Sequence, residues 1–368
     1  MIPVNEPAFG ETELEYVSDC VKSGWVSSAG EYIERFEAEW AKWCGRRHGV
    51  AVANGTVALE LAVWALDLEP GDEIIMPTFT IISCPLAAIR NGCTPVLVDS
   101  DPQTWCMDVE QIEQRITPRT RAIMPVHIYG HPVDMDPLLE LAASHGLAVI
   151  EDAAEAHGAT YRDRRCGSMG DVSCFSFYAN KIITTGEGGM VLTDDDSIAA
   201  KARSGRNLSF GAARRFEHES AGYNFRLTNM QAALGLAQVP RIDEIVARKR
   251  RMGARYTELL AGLPLHLPVE RDWATNVYWM YGVVLADELP FDAEEFAARH
   301  ERLGVQTRPF FLGMHEQPAL HRWGLFAGET YPVAERLSRR GLYLPSGLAL
   351  TDEQQVTVAE AVREALRP

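Results

Sequence analysis

No apolar run in the 368-residue sequence approaches the about 18 residues of a membrane-spanning helix. Met1-Ile-Pro-Val-Asn-Glu-Pro7 lacks the basic-then-apolar order of a secretory signal, so a soluble, cytoplasmic protein is expected. Positive charge is scarce: 35 Lys and Arg face 51 Asp and Glu, a net charge of -16. That balance argues against nucleic acid or an anionic membrane as partner. It leaves room for an anionic small molecule, because local arginines and backbone N–H groups can override the global field. Paired cysteines are also missing. Seven are scattered, an odd number, at 20, 44, 84, 93, 106, 166 and 174, with no C-x-x-C spacing. Buried free thiols in a reducing compartment are expected, not a disulfide framework or a metal site. There is no repeat of fixed period and no low-complexity tract. The length exceeds what one hydrophobic core usually serves, so two domains are expected.

What is present centres on one lysine. An apolar strand, Val172 to Phe177, leads to Lys181 on a Thr/Gly turn, and a second strand, Gly189 to Thr193, leaves it. A lysine among aromatic and small residues is partly desolvated, which lowers its pKa and suits it to Schiff-base chemistry. The alternative is a lysine at a strand end that simply reaches solvent. Upstream, Leu147 to Ile150 reads as a buried parallel strand. It runs into Glu151-Asp152-Ala-Ala-Glu155-Ala-His157-Gly158. Carboxylates at that edge sit where open α/β sheets bind ligands. An acid 29 residues before a lysine fits pyridoxal phosphate, which needs a lysine for its aldehyde and an acid for its pyridinium nitrogen. Asp152 could instead be a helix N-cap. A third site is Asn54-Gly55-Thr56, between the strand Gly49 to Ala53 and a helix from Val57 to about Leu66. A helix N-terminus with a glycine and a hydroxyl can hold phosphate; it can equally be an ordinary cap.

The remaining pattern alternates. Helices are expected from Glu11 to Lys22, Tyr32 to Cys44, after Thr80 to about Asn91, 108 to 115, Met135 to His145 and Ser197 to Ser204. Strands are expected at Asp72 to Met76, Pro95 to Asp99 and Arg121 to Val126. This rhythm implies a mostly parallel sheet flanked by helices. Residues 206 to 227 form a connection long enough to be functional. A long helix from Thr228 to Leu260, broken at Pro240, leads to a smaller α+β part. There a strand is expected from Trp279 to Leu285, with helices at Ala293 to Leu303, Pro332 to Arg340 and Asp352 to Leu366. The expected domains are 1–245 and 246–368.

Laid out this way, the chain resembles the DegT/DnrJ/EryC1/StrS family of sugar aminotransferases. The resemblance rests on Asn54-Gly-Thr56, Glu151-Asp-Ala-Ala-Glu-Ala-His-Gly158, Ser176-Phe-Tyr-Ala-Asn-Lys181, Gly186-Glu-Gly-Gly189 and Gly222-Tyr-Asn-Phe-Arg-Leu-Thr-Asn229, in that order. It extends from Gly24-Trp-Val-Ser-Ser28 to Leu344-Pro-Ser-Gly-Leu348. Within the family it is most similar to the perosamine-forming branch, through Asn180-Lys-Ile-Ile-Thr-Thr-Gly-Glu187, Tyr129-Gly-His-Pro-Val-Asp134, Arg215-Phe-Glu-His218 and Thr307-Arg-Pro-Phe-Phe311.

The resemblance implies a fold-type-I enzyme using pyridoxal 5'-phosphate, with pyridoxamine phosphate formed between its two half-reactions. L-glutamate would be the amine donor. A nucleotide-linked 4-keto-6-deoxy sugar would be the acceptor, GDP-4-keto-6-deoxymannose going to GDP-perosamine for lipopolysaccharide O-antigen. Lys181 would bind the cofactor and carry the proton, and Asp152 would pair with the pyridine nitrogen. Gly55, Thr56 and Ser176 would hold the phosphate. Glu155 stands where many members have glutamine, near the ring hydroxyl. Asn224 would reach the neighbouring subunit's phosphate, which makes a homodimer necessary. His157 supports the site or belongs to the core. Many members place an aromatic ring at the position of Ile81; Ile81 can pack as an apolar lid, and Phe79 is either its substitute or core. Arg308, Phe311 and the loop from Arg214 to His218 could meet the nucleotide or sugar. Arg226 could meet glutamate's carboxylate or brace its loop. Other outcomes stay open: a UDP- or dTDP-linked keto sugar, a cyclitol or an octulosonic acid as acceptor, or a pyridoxal-binding regulator. Relatives that are sugar 3-dehydratases carry histidine in place of the lysine, which Lys181 argues against. Regulators usually carry an added DNA-binding module, and no basic appendage is present.

Overall fold

The computed structural model describes every residue except 212, 213, 215, 219 and 368. Five apolar stretches form strands that run in the same direction: β1 (His48–Val52), β2 (Glu73–Pro77), β3 (Thr94–Val98), β4 (Thr120–Ile123) and β5 (Ala148–Asp152). A short hairpin follows, β6 (Thr160–Tyr161) and β7 (Arg164–Arg165), and then β8 (Val172–Ser176) and β9 (Gly189–Thr193). The seven-stranded sheet has the order β1-β9-β8-β5-β4-β2-β3. Only β9 runs against its neighbours, pairing antiparallel with both β1 and β8. Its strands are buried on both faces, as their unbroken Val, Ile and Ala runs require.

Helices cover the sheet: α1 (Glu11–Ser23), α2 (Glu31–Cys44), α3 (Gly55–Ala65), α4 (Ser83–Arg90), α5 (Met135–His145) and α6 (Asp196–Gly205). The long helix expected from Thr228 is two, α7 (Asn229–Gln238) and α8 (Ile242–Leu259), joined by a 3-10 turn that holds Pro240. The proline cannot donate a helical hydrogen bond, so the break falls where it stands. Residues 108–115 differ from the helix expected there. They form two 3-10 turns, the first capped by Asp108, which accepts the Glu110 N–H at 3.1 Å. Only Ile112 and no helical stripe is buried to hold a longer helix. The strand expected at Arg121 to Val126 closes early: its ladder ends at Ile123, and Val126 keeps a single bridge to Asp152.

A second sheet, β10-β12-β14-β13, follows. Its strands are β10 (Leu265–His266), β12 (Tyr281–Leu285), β13 (Arg308–Pro309) and β14 (Gly341–Leu344), while β11 (Ala274–Thr275) instead joins the β6–β7 hairpin. Helices α9 (Ala293–Arg302), α10 (Pro318–His321), α11 (Pro332–Arg340) and α12 (Asp352–Ala365) complete the chain. Tyr256, Tyr281, Phe296, Leu342 and Val358 fill a core of their own. The main core, around Phe36, Trp40, Phe175 and Phe177, also takes in Phe310, Tyr331 and Leu337 from the C-terminal third. Residues 206–227 carry no helix or ladder among those described. Isolated bridges, Asn207 with Asn224 and Val52 with Arg226, tie the connection down.

Candidate active site

The strands β1, β2, β5 and β8 all end on one edge, and the three sites read from the sequence come together there. The edge opens into a cavity of about 630 Å³, within the range of small-molecule sites. Gly55, Thr56, Ile81, Asp152, Glu155, Ser176, Lys181 and Phe311 line it.

The cradle comes first. Asn54 ends β1 and caps α3 by accepting the Val57 N–H at 3.0 Å. The first turn then leaves N–H groups without intrahelical acceptors at the positive end of the helix dipole. Thr56 Oγ1 lies 2.7 Å from Ser83 Oγ, and Ser176 ends β8 beside them. Glycine is required at 55 by contact: a Cβ there would meet the Ser176 Cβ at 2.7 Å. Three hydroxyls over a helix N-terminus are a donor set suited to a phosphate.

Lys181 follows β8 on a loop tied at both ends, with Phe177 N–H bonded to Gly188 O and Thr185 N–H to Phe177 O. Its side chain is 10% exposed, and Nζ lies 3.7 Å from Glu155 Oε1. The same nitrogen sits 3.6 Å from the centroid of the Trp279 ring. Burial pushes the lysine pKa down, against the pull of Glu155 and Asp152. Burial likewise raises the Glu155 pKa, opposed by Lys181 and by the Tyr129 N–H. Both groups are driven toward their neutral forms, the condition in which a lysine amine is a nucleophile and base.

Asp152 is 2% exposed at the end of β5. Its Oδ1 accepts the Ala154 N–H at 3.0 Å and its Oδ2 the Cys84 thiol at 3.3 Å. Burial raises its pKa, and the Ala154 N–H, the Cys84 thiol and the Lys181 charge counter that. The neighbouring Glu151 has a separate task. It accepts from His127 and from the Gly167, Met169 and Gly170 N–H groups, closing the turn before β8.

Several expected residues lie elsewhere. Phe79 is 1% exposed and packs on Tyr129, Phe310 and Phe311, in the core and not on the cavity wall. Ile81 is 45% exposed and lines the cavity. His157 is also core, wedged among Trp40, Phe175 and Phe177, where Nδ1 accepts the Ile183 N–H at 3.3 Å. Arg226 braces its loop through Asn207 Oδ1 at 2.9 Å. Arg308 is exposed on β13, and Asn224 is exposed on the long connection; neither lines the cavity of its own chain. Arg214 is exposed, and Arg215 of the same loop lies outside the described residues.

Residues not singled out from sequence complete the wall. Trp279 comes from the segment before β12, Tyr343 from β14, and Ser83 from the start of α4. Tyr129 backs the wall: its ring stacks on Phe311 at 5.6 Å, and its N–H donates to Glu155 Oε2 at 2.8 Å. Its φ of 51° is left-handed backbone in a bulky residue, a strain met where surrounding structure imposes it. The Tyr129-Gly130 dipeptide was the available signal for that turn.

With this geometry in hand, known proteins give a consistent match. The profile described as the DegT/DnrJ/EryC1/StrS aminotransferase family covers residues 7–363. The GDP-perosamine synthase of Caulobacter vibrioides is 43% identical over 99% of this chain and 98% of its own. The GDP-perosamine synthase of Escherichia coli O157:H7 is 41% identical over 99% and 98%. Among solved structures, Streptomyces venezuelae DesV is 38% identical with a TM-score of 0.88, covering 97% of this chain and 94% of that one. Spr1654 of Streptococcus pneumoniae in its PLP form is 25% identical with a TM-score of 0.92, covering 99% and 98%.

Proposed function

Because the chain belongs to the DegT/DnrJ/EryC1/StrS aminotransferase family, we propose that it moves the amine of L-glutamate onto GDP-4-keto-6-deoxymannose, making GDP-perosamine. The acceptor is inferred from the full-length likeness to GDP-perosamine synthases. The observation that carries the chemistry is Lys181, held between Glu155 and Trp279 in the cavity that also contains Asp152 and the α3 cradle.

The residues fit pyridoxal phosphate. Thr56, Ser83, Ser176 and the first N–H groups of α3 would hold its phosphate. Asp152, kept in place by Ala154 and Cys84, would keep a ring nitrogen protonated. Ile81 would cover the ring as an apolar lid. When bound, the cofactor supplies an electron sink for the bond broken at the substrate carbon. Lys181 would bind it covalently and then act as the general base in one half-reaction and the acid in the other. Glu155 would face the ring hydroxyl and balance the lysine's charge.

The active unit in this reading is a homodimer. Asn224 does not line its own chain's cavity, and on an exposed loop it would serve the partner's phosphate. The product suits lipopolysaccharide O-antigen synthesis in the cytoplasm.

Purified enzyme with pyridoxal phosphate, glutamate and GDP-4-keto-6-deoxymannose should yield the amino sugar nucleotide, read by mass spectrometry. Conversion of the cofactor by glutamate without sugar amination would discard this acceptor and keep the reaction class. Lys181→Ala should lose both the bound-cofactor absorbance and turnover; turnover without the lysine would sink the central assignment.

A further inference from the structure

Helix α11 is capped by a residue far from it in the chain. Tyr331, just before the helix, spends its hydroxyl elsewhere, on Leu97 O at 3.2 Å and on the Glu329 carboxylate. Pro332, the first helical residue, has no N–H. The next two N–H groups go to Asp99: Val333 donates to Oδ2 at 3.0 Å and Ala334 to Oδ1 at 2.9 Å. Asp99 follows β3 and is 5% exposed. Its Oδ1 also accepts the Ser100 N–H at 2.8 Å, which fixes the carboxylate's direction. Two buried acceptors thus meet two orphan donors at the positive end of a helix, a task usually done by the residue beside it.

The helix carries that anchor to the reaction cavity. Ser338, near its other end, has Oγ 2.8 Å from Phe311 O and 2.9 Å from Ala334 O. The Phe311 ring lines the cavity and stacks on Tyr129. The turn after Phe311 is tied separately to the end of β2: the Met314 N–H donates to Thr78 O at 2.8 Å, and Thr78 Oγ1 lies 2.8 Å from His315 Nδ1. Helix α11 then passes directly into β14, which places Tyr343 on the same cavity wall. At that junction the Phe310 N–H donates to Gly341 O at 3.1 Å. A shift of α11 therefore moves both aromatic side chains, whereas Lys181, Asp152 and the α3 cradle hang from β8, β5 and β1.

We propose that Asp99 is a positioning residue for the acceptor sugar nucleotide. It fixes α11 as a strut, and the strut sets Phe311 and Tyr343 as the face along which the acceptor lies. The proposal rests on the acceptor assigned above. The cofactor groups occupy one side of the cavity, with the hydroxyls of Thr56, Ser83 and Ser176 at the phosphate and Asp152 at the ring. The aromatic wall on the other side is left to the substrates. Glutamate is small and reacts beside Lys181, but a nucleotide sugar is long and has to pass along the wall. Asp99 does not itself line the cavity, so it acts only through the strut.

The test compares wild type with Asp99→Asn, Ser338→Ala and the double variant. Asparagine keeps the shape and one acceptor, and alanine is a better helix former than serine, so both variants should fold. Calorimetric titration of the pyridoxamine-phosphate form uses GDP-mannose, which has the nucleotide and a sugar but no ketone. Each single variant should weaken binding roughly threefold to tenfold. The double variant should fall short of the product, because both changes act through one helix. The KM for the keto sugar should rise alike, while glutamate converts the cofactor at the wild-type single-turnover rate. Wild-type acceptor affinity in both single variants would overturn the proposal, as would equal slowing of both half-reactions. Hydrogen exchange of the free protein reads the strut without any acceptor: residues 310–313 should exchange faster in both variants and residues 54–57 should not. Unchanged exchange at 310–313 would overturn it too. A wild type that neither binds GDP-mannose nor aminates the keto sugar would count against the proposed acceptor instead, and exchange would still decide the strut.

Discussion

The Nζ of Lys181 lies 3.6 Å from the centroid of the Trp279 indole. An aromatic face attracts an ammonium by about 0.5–2 kcal/mol. Trp279→Leu is therefore expected to slow the glutamate half-reaction by roughly 2- to 30-fold while cofactor still binds. Stopped-flow absorbance checks this, and an unchanged rate would assign the ring to packing alone.

Gly55→Ala should cripple the cradle with little loss of fold. The added methyl would sit 2.7 Å from the Ser176 Cβ, forcing apart α3 and the end of β8. Cofactor affinity should fall at least about tenfold, the equivalent of one charge-assisted hydrogen bond. Titration by absorbance gives the number; wild-type affinity would mean that the phosphate is held elsewhere.

Asp152→Asn keeps the shape of the side chain and removes its charge. The variant should still bind cofactor, yet proton transfer should drop by roughly 10²- to 10⁴-fold. A single-turnover rate near wild type would leave the aspartate without a chemical part.

His157 makes the enzyme acid-sensitive. Burial and, less strongly, the Lys181 charge push its pKa down to about 3, from an ordinary 6.5. The unfolded chain takes up this proton below about pH 6.5 while the fold refuses it, so stability falls as pH drops through that window. The loss is about 1.4 kcal/mol per pH unit. His157→Phe cannot titrate and fits the same aromatic nest, so between pH 6.5 and pH 5 it should lose about 2 kcal/mol less than wild type. His131, held down to about 4 by burial, adds the same trend to both proteins. Urea unfolding at the two pH values measures the difference; equal losses would show the ring protonating inside the fold.

The parts of this site that were legible in the sequence are those built by short chain segments. The strand into Lys181, the acid at the end of β5 and the Asn54-Gly55-Thr56 cap each combine an apolar run with a distinctive terminus. Trp279, Tyr343 and Cys84 were not legible, because each reaches the site through tertiary packing and sits in no local pattern. Phe79 and Ile81 illustrate the same limit. Both are apolar and two residues apart, and only the turn after β2 decides that one is core and the other lines the cavity. Strand β14 was missed because it begins at the residue after α11 with no turn between them.

Strand β1 has one neighbour in the sheet, β9, and the pairing joins His48 to Thr193 and Val52 to Gly189. Helix α3 packs directly on β8, but the strand that delivers its cap is joined to the sheet only through β9, so its register against Ser176 is completed when the chain has been made past residue 193. A nascent polypeptide shorter than that has the residues of the anion cradle but lacks the strand pairing that fixes their register. Because distant pairings close late, ligand capture should trail sheet closure during synthesis and refolding. Binding would then report that the most separated strands have found each other.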